Sequence, residues 1–239
     1  MMHPFFSYYG GKYRLAPRYP EPTHQRVIEP FAGSAGYATR WNPRHVTLID
    51  ADPVIAGLWD YLIHVSVDEV MRLPLYDGSW ETVDELNVPQ EAKWLIGFWL
   101  NAGTSHPCKS PSQWMREGGN RDQFWSERIR GRVARQVPFI RHWAVIHGSY
   151  EDAPDAEATW FIDPPYNNKA GGHYPNHDID YAHLASWSQS RRGQVIVCEN
   201  AGADWLPFRP FRDASATPGA HRTGISREVV WERDDWSLM

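Results

Sequence analysis

Short apolar runs, each ending on a polar side chain, recur along the chain. Val27-Ile28 runs into Glu29, Val46–Ile49 into Asp50, and Thr159–Ile162 into Asp163. "WAVIHG" (Trp143–Gly148) and "QVIVCEN" (Gln194–Asn200) repeat the pattern. Runs this brief, bounded by turn residues, predict buried strands. The segments between them have helical spacing. A turn containing Gly33 and Gly36 leads into a helix through Trp41. Asp52 followed by Pro53 predicts an N-cap and a first-turn proline. Val54, Ile55, Leu58, Trp59 and Leu62 then keep one face apolar. Ser66 and Glu69 have capping-box spacing, and "DYAHLASW" reads as a helix before the last of these runs. The tail predicts two strands around a long loop. Strands alternating with helices imply an α/β class with a mostly parallel sheet.

The segment 66–142 differs in carrying no strand signal. "PQEAKWLIGFWLN" reads as a buried helix and "GTSHPCKSPSQWMREGGNRD" as a loop. "DQFWSERIRGRVARQV" reads as an amphipathic helix with Phe124, Ile129, Val133 and Val137 inward. The expected organisation is one domain, 1–65 with 143–239, holding an inserted helical region, 66–142.

The 239 residues are 42% hydrophobic, enough for a sizeable core. No apolar run approaches the ~20 residues of a membrane span. The N-terminal stretch lacks a signal-like apolar segment, and the two cysteines, Cys108 and Cys198, suit a reducing cytosol, so a cytoplasmic location is expected. Net charge is −5, yet Lys109–Arg141 holds eight basic residues against three acidic ones. That asymmetry predicts a local phosphate-facing surface. The thirteen tryptophans suit core packing or stacking on bases.

The candidate chemistry gathers at strand ends, where α/β sheets place ligands. "EPFAGSAG" has neither dinucleotide-fingerprint spacing nor a P-loop lysine. Asp50, about 20 residues after this turn, is placed to bind ribose hydroxyls. A ribose-bearing ligand without phosphates follows, and S-adenosylmethionine is such a ligand. "FIDPPY" ends a strand on a stiff corner, because proline removes a ladder donor and fixes φ. An exocyclic base amine is a poor nucleophile, its lone pair being delocalised into the ring. Asp163 offers a carboxylate to one N–H, Pro164 a carbonyl to the other, and Tyr166 a flat face for an everted base.

These segments, in this order over nearly the whole chain, resemble DNA adenine-N6 methyltransferases of the Dam type. "FFSYYGGKYRLAP" is similar to the family's glycine-glycine-lysine segment, which implies cofactor contacts for Tyr8, Gly11 and Lys12, the lysine facing the methionyl carboxylate. "VIEPFAGSAG" resembles the cofactor loop, implying Glu29, Phe31 and Gly33. "LIDADP" resembles the ribose-binding strand end, Asp50, and "HGSYED" the segment beside the cofactor adenine, Ser149 and Tyr150. "FIDPPY" matches the catalytic motif, Asp163, Pro164, Pro165 and Tyr166, with Asp163 also beside the cofactor. "SREVVW" resembles the closing strand. The resemblance implies a Rossmann-like methyltransferase sheet, mostly parallel with an antiparallel C-terminal hairpin. It also implies an inserted helical DNA-recognition subdomain, S-adenosylmethionine as cofactor without metal, and double-stranded DNA as partner. Phosphate contacts are expected from Lys109, Arg116, Arg121, Arg128, Arg222 and Arg227. A cognate restriction endonuclease is compatible with this reading, and a monomer is the default.

The recognition arm departs from the family. Leu100-Asn101 is followed by "AGTSHPCKSPSQW" rather than an arginine- and asparagine-rich segment, so no target sequence carries over. Cytosine-N4 and RNA adenine remain alternative acceptors, because the same motif serves several amines, and a non-catalytic DNA-binding homologue is the alternative of another class. Pro107-Cys108 as a thiolate nucleophile, and His173, His177 and Asp178 as metal ligands, are the minor readings. His183 is expected to be structural.

Overall fold

The computed structural model describes residues 2–101, 103–117, 123–167, 171–174, 176–214 and 226–233. Seven strands form one sheet: β1 (Arg26–Glu29), β2 (His45–Asp50), β3 (Ala144–His147), β4 (Glu157–Ile162), β5 (Arg192–Asn200), β6 (Arg209–Ala214) and β7 (Ser226–Arg233). Their order is β3-β2-β1-β4-β5-β7-β6. β1 to β5 pair in parallel, whereas β7 lies antiparallel between β5 and β6. This is the Rossmann-like α/β fold, mostly parallel with an antiparallel C-terminal hairpin.

Strand alternation sends side chains to two cores. Val27, Phe161, Ile196 and Cys198 face one cluster, and Ile28, Trp160, Ile162, Val195 and Val197 face the other. β4 and β5 are buried on both faces, which is why their sequences read as unbroken apolar runs. Helix α7 (Tyr181–Gln189) covers the second face through Leu184 and Trp187. On the first face lie α1 (Gly36–Trp41), α2 (Pro53–His64), α3 (Val67–Arg72), α4 (Gln90–Phe98), α5 (Gln113–Arg116) and α6 (Glu127–Gln136).

The local signals act as their chemistry dictates. Asp52 accepts a hydrogen bond from the Val54 N–H at 2.9 Å and caps α2. Ser66 and Glu69 close the capping box of α3. Between residues 66 and 142 the described residues form helices and loops without a strand, and the loop reading there is interrupted by the single turn of α5. These helices share one hydrophobic cluster with the N-terminal segment, with Phe98 against Phe6 and Tyr8.

Most tryptophans are accounted for by this packing. Trp59, Trp80, Trp99, Trp125, Trp143, Trp160 and Trp187 are buried. Five of these indoles donate to backbone carbonyls, including Trp59 to Gly33 and Trp99 to Phe5. Trp114 on α5 is 50% exposed. No helix among the described residues is long and apolar enough to cross a membrane.

Candidate active site

The chain runs from β1 outward to β2 and β3, then returns to β4 beside β1. That reversal leaves a crevice at the carboxyl ends of β1 and β4. All ten residues expected to contact cofactor line one cleft there: Tyr8, Gly11, Lys12, Glu29, Phe31, Gly33, Asp50, Ser149, Tyr150 and Asp163.

The glycine turn forms the floor. Gly33 has φ +44° and Ala35 has φ +45°. A left-handed alanine is costly, of order 1–2 kcal/mol, and such strain is held by its surroundings. Here Trp59 grips the Gly33 carbonyl at 2.8 Å, and Asp50 Oδ2 accepts the Gly33 N–H at 2.8 Å. Asp50 Oδ1 accepts the Asp52 N–H at 2.9 Å, so the carboxylate bridges the two loops beyond β1 and β2. Burial pushes the Asp50 carboxyl up to about 6, although both backbone bonds oppose this. Tyr8 lies against Gly33, where an added methyl would meet its ring at 3.0 Å.

Glu29 ends β1 in full burial and accepts the Ala38 N–H of α1 at 2.6 Å. Burial lifts its carboxyl from an ordinary 4.5 to about 8. An unfolded chain would ionise Glu29 first, so its contribution to stability is fullest below pH 4.5 and declines as pH rises to about 8. Glu29→Gln should therefore flatten the fall in unfolding free energy across that window, as urea melts from pH 4 to 9 would reveal. An unchanged pH slope would contradict the assignment.

The proline corner forms the opposite wall. Asp163 follows β4 directly, and Asp163 Oδ2 accepts a hydrogen bond from Lys12 Nζ at 2.8 Å. Its other oxygen, Oδ1, is buried and accepts no hydrogen bond from the described residues. Burial pushes the Asp163 carboxyl up, opposed by Lys12. For Lys12 burial disfavours the charge, but the carboxylates of Asp163 and Glu228 outweigh it and keep the ammonium ionised. Lys12 thus reaches the carboxylate of the proline corner rather than being left to a ligand carboxylate alone, a contact its sequence context does not reveal. Pro164 is buried, and the Tyr181 hydroxyl donates to the Pro165 carbonyl at 2.6 Å, fixing the corner to α7. The Tyr166 ring sits 5.0 Å from Lys12 Nζ.

At the far end, Phe31 and Tyr150 pack at a ring separation of 5.5 Å. Ser149 spends its hydroxyl on the Glu151 N–H at 3.1 Å, capping the turn that carries Tyr150. His183 on α7 is exposed, and its Nδ1 lies 2.6 Å from the Tyr150 hydroxyl, so it supports this wall. Tyr174 also lines the cleft, with its hydroxyl donating to the Tyr9 carbonyl at 3.2 Å. Sequence reasoning missed Tyr174, which lies in no recognisable spacing, and Glu228, whose segment "SREVVW" reads only as a closing strand.

The basic stretch divides in two. Arg130 donates to the Leu73 carbonyl, Arg132 lies over the Trp99 ring at 5.2 Å, and Arg141 donates to the carbonyls of Ile63 and Val65. These three guanidiniums secure the fold. Arg116, Arg128 and Arg227 are exposed, while Lys109 is exposed and paired with Asp84 at 2.9 Å. Arg121 and Arg222 lie outside the described residues.

Burial pushes the Cys108 thiol up, against a thiolate nucleophile. No group of three or more His, Cys, Asp or Glu residues converges as a metal site among the described residues.

No family model and no curated protein matches this sequence. Among solved structures, it is similar to "Putative methyltransferase yhhF" from Escherichia coli, at 10% identity, 93% coverage of this chain, 81% of that chain and a TM-score of 0.37. It is likewise similar to "putative methylase HI0767" from Haemophilus influenzae, at 10% identity, 92% and 91% coverage and a TM-score of 0.36. Similarity this distant leaves the reading of the site to the chain's own geometry.

Proposed function

We propose that this chain is an S-adenosylmethionine-dependent methyltransferase acting on the N6 amine of adenine in double-stranded DNA. One observation carries the reading: the unpartnered, buried Oδ1 of Asp163, held on a rigid corner in the same cleft as Asp50 and the glycine turn. A buried acceptor without a donor is costly and calls for a ligand N–H. The cleft suits the cofactor by composition: Asp50 for ribose hydroxyls, a glycine floor for close approach, and the Phe31–Tyr150 pair for a flat base. When bound, S-adenosylmethionine supplies an electrophilic methyl group. In the transfer the amine nitrogen would gain the methyl carbon as the sulfonium sulfur keeps the electron pair of the broken bond, and the nitrogen would then lose a proton to solvent.

The protein's part is to hold the amine. Asp163 would accept one N–H and draw lone-pair density out of the ring, while the stiff Pro164-Pro165 backbone limits reorganisation. Tyr166 would flank the everted base, and the exposed Arg116 would face phosphates. The test is nucleoside mass spectrometry of duplex DNA and, in parallel, RNA, each incubated with protein and S-adenosylmethionine. N6-methyladenine is expected. N4-methylcytosine, or transfer only to RNA, would reassign the acceptor, and no methylated nucleoside in any of them would overturn the reading.

A further inference from the structure

The ammonium of Lys12 serves two carboxylates. Its Nζ is 2.8 Å from Asp163 Oδ2 and 3.9 Å from Glu228 Oε1. Glu228 belongs to β7, is buried, and is held by Tyr19. The Tyr19 hydroxyl donates to Oε2 at 2.7 Å, and the Tyr166 hydroxyl to Oε1 at 3.5 Å. Burying a second carboxylate beside an existing ion pair is expensive, and packing alone would not demand it.

Its position answers a difficulty in the proposed chemistry. Asp163 must accept an amine N–H and face a nitrogen that becomes cationic. A lone lysine beside it would weaken the acceptor and repel that nitrogen, more strongly in a low dielectric than in water. With Glu228 on its other side, Lys12 is neutralised and the trio keeps one net negative charge. We propose that Glu228 is a positioning residue, offsetting Lys12 so that Asp163 stays a strong acceptor. This rests on the reading of Asp163 as the amine acceptor.

The groups facing the trio are Tyr8 and Tyr19 in the N-terminal segment, Glu29 on β1, Tyr166 after β4, Tyr174 beyond it, and Cys198 and Glu199 on β5. Burial drives the Tyr19, Tyr166 and Cys198 protons well above their ordinary range, so these three stay neutral. A titration of Asp163 then reports mainly on Glu228, Lys12, Glu29 and Glu199. The experiment is ¹³C NMR of carboxyl-labelled aspartate in the full chain, with Asp163→Asn assigning the signal. Glu228→Gln keeps an acceptor for Tyr19 but removes the charge, and should lower the Asp163 midpoint by about one pH unit. Its kcat should fall ~10–100-fold with KM for DNA and cofactor within about twofold. If Glu228→Gln does not fold, Tyr19→Phe releases the same anchor with every charge retained, and a smaller downward shift is expected. An unmoved midpoint in the folded variant, or full kcat, would overturn the proposal. If the wild-type chain transfers no methyl group but the midpoint still moves, the reading of the reaction fails while the control of Asp163 by Glu228 stands.

Discussion

Asp163→Ala should lower kcat for methyl transfer by ~10³-fold or more while DNA retention in a gel-shift assay persists. The size of the effect follows from the two oxygens of the carboxylate doing different things. Oδ2 holds Lys12, and Oδ1 is the buried acceptor left for a substrate N–H. Alanine removes both and leaves a buried ammonium. Breaking a buried ion pair by removing one partner costs roughly 3 kcal/mol or more, lessened here by Glu228 at 3.9 Å from Lys12. Asp163→Asn separates the contributions. It keeps the volume and one acceptor oxygen, so it should melt closer to wild type and still lose most of the activity. Single-turnover kinetics with saturating cofactor would measure it. Near-normal turnover in either variant would end the assignment of Asp163 as the amine acceptor.

Gly36→Ala should lose cofactor binding through the backbone rather than through any functional group. Gly36 opens α1 against the segment that carries Lys12. A methyl there would meet the Tyr13 nitrogen at 2.5 Å and the Lys12 carbonyl carbon at 2.9 Å. Both are main-chain atoms, so the strain cannot be relieved by turning a side chain. Overpacking of this kind costs about 1–3 kcal/mol, and the segment that yields is the one holding the lysine. Isothermal titration with S-adenosylmethionine should show affinity reduced at least ~10-fold, with a lower melting temperature. Gly172→Ala is the control, since its methyl would meet nothing within 4 Å. Unaltered affinity in Gly36→Ala would mean that the lysine segment does not depend on this contact.

Much of the scaffold was open to reading before any coordinates. The ends of β1, β2 and β4 at Glu29, Asp50 and just before Asp163 follow from apolar runs meeting polar residues, and the caps of α2 and α3 follow from side chains bonding their own backbone within a few positions. Such interactions are local, so their spacing is written in the chain. The arginines of 109–141 show the limit of that logic. Their charge pattern is identical whether a guanidinium meets phosphate or a carbonyl, and Arg130, Arg132 and Arg141 donate to backbone carbonyls because helix ends and loops nearby left acceptors to satisfy.

The strand-end groups and the stiff corner that bears Asp163 are written in the order of residues along the chain. Their neighbours come from folding. Lys12 meets Asp163 across 151 positions, and Tyr19 meets Glu228 across 209. Those encounters depend on β7 entering the sheet between β5 and β6, a choice made by the packing of whole faces. Side-chain pairing at that range has no period and no motif, because its energy is set by burial and distance after the sheet has formed.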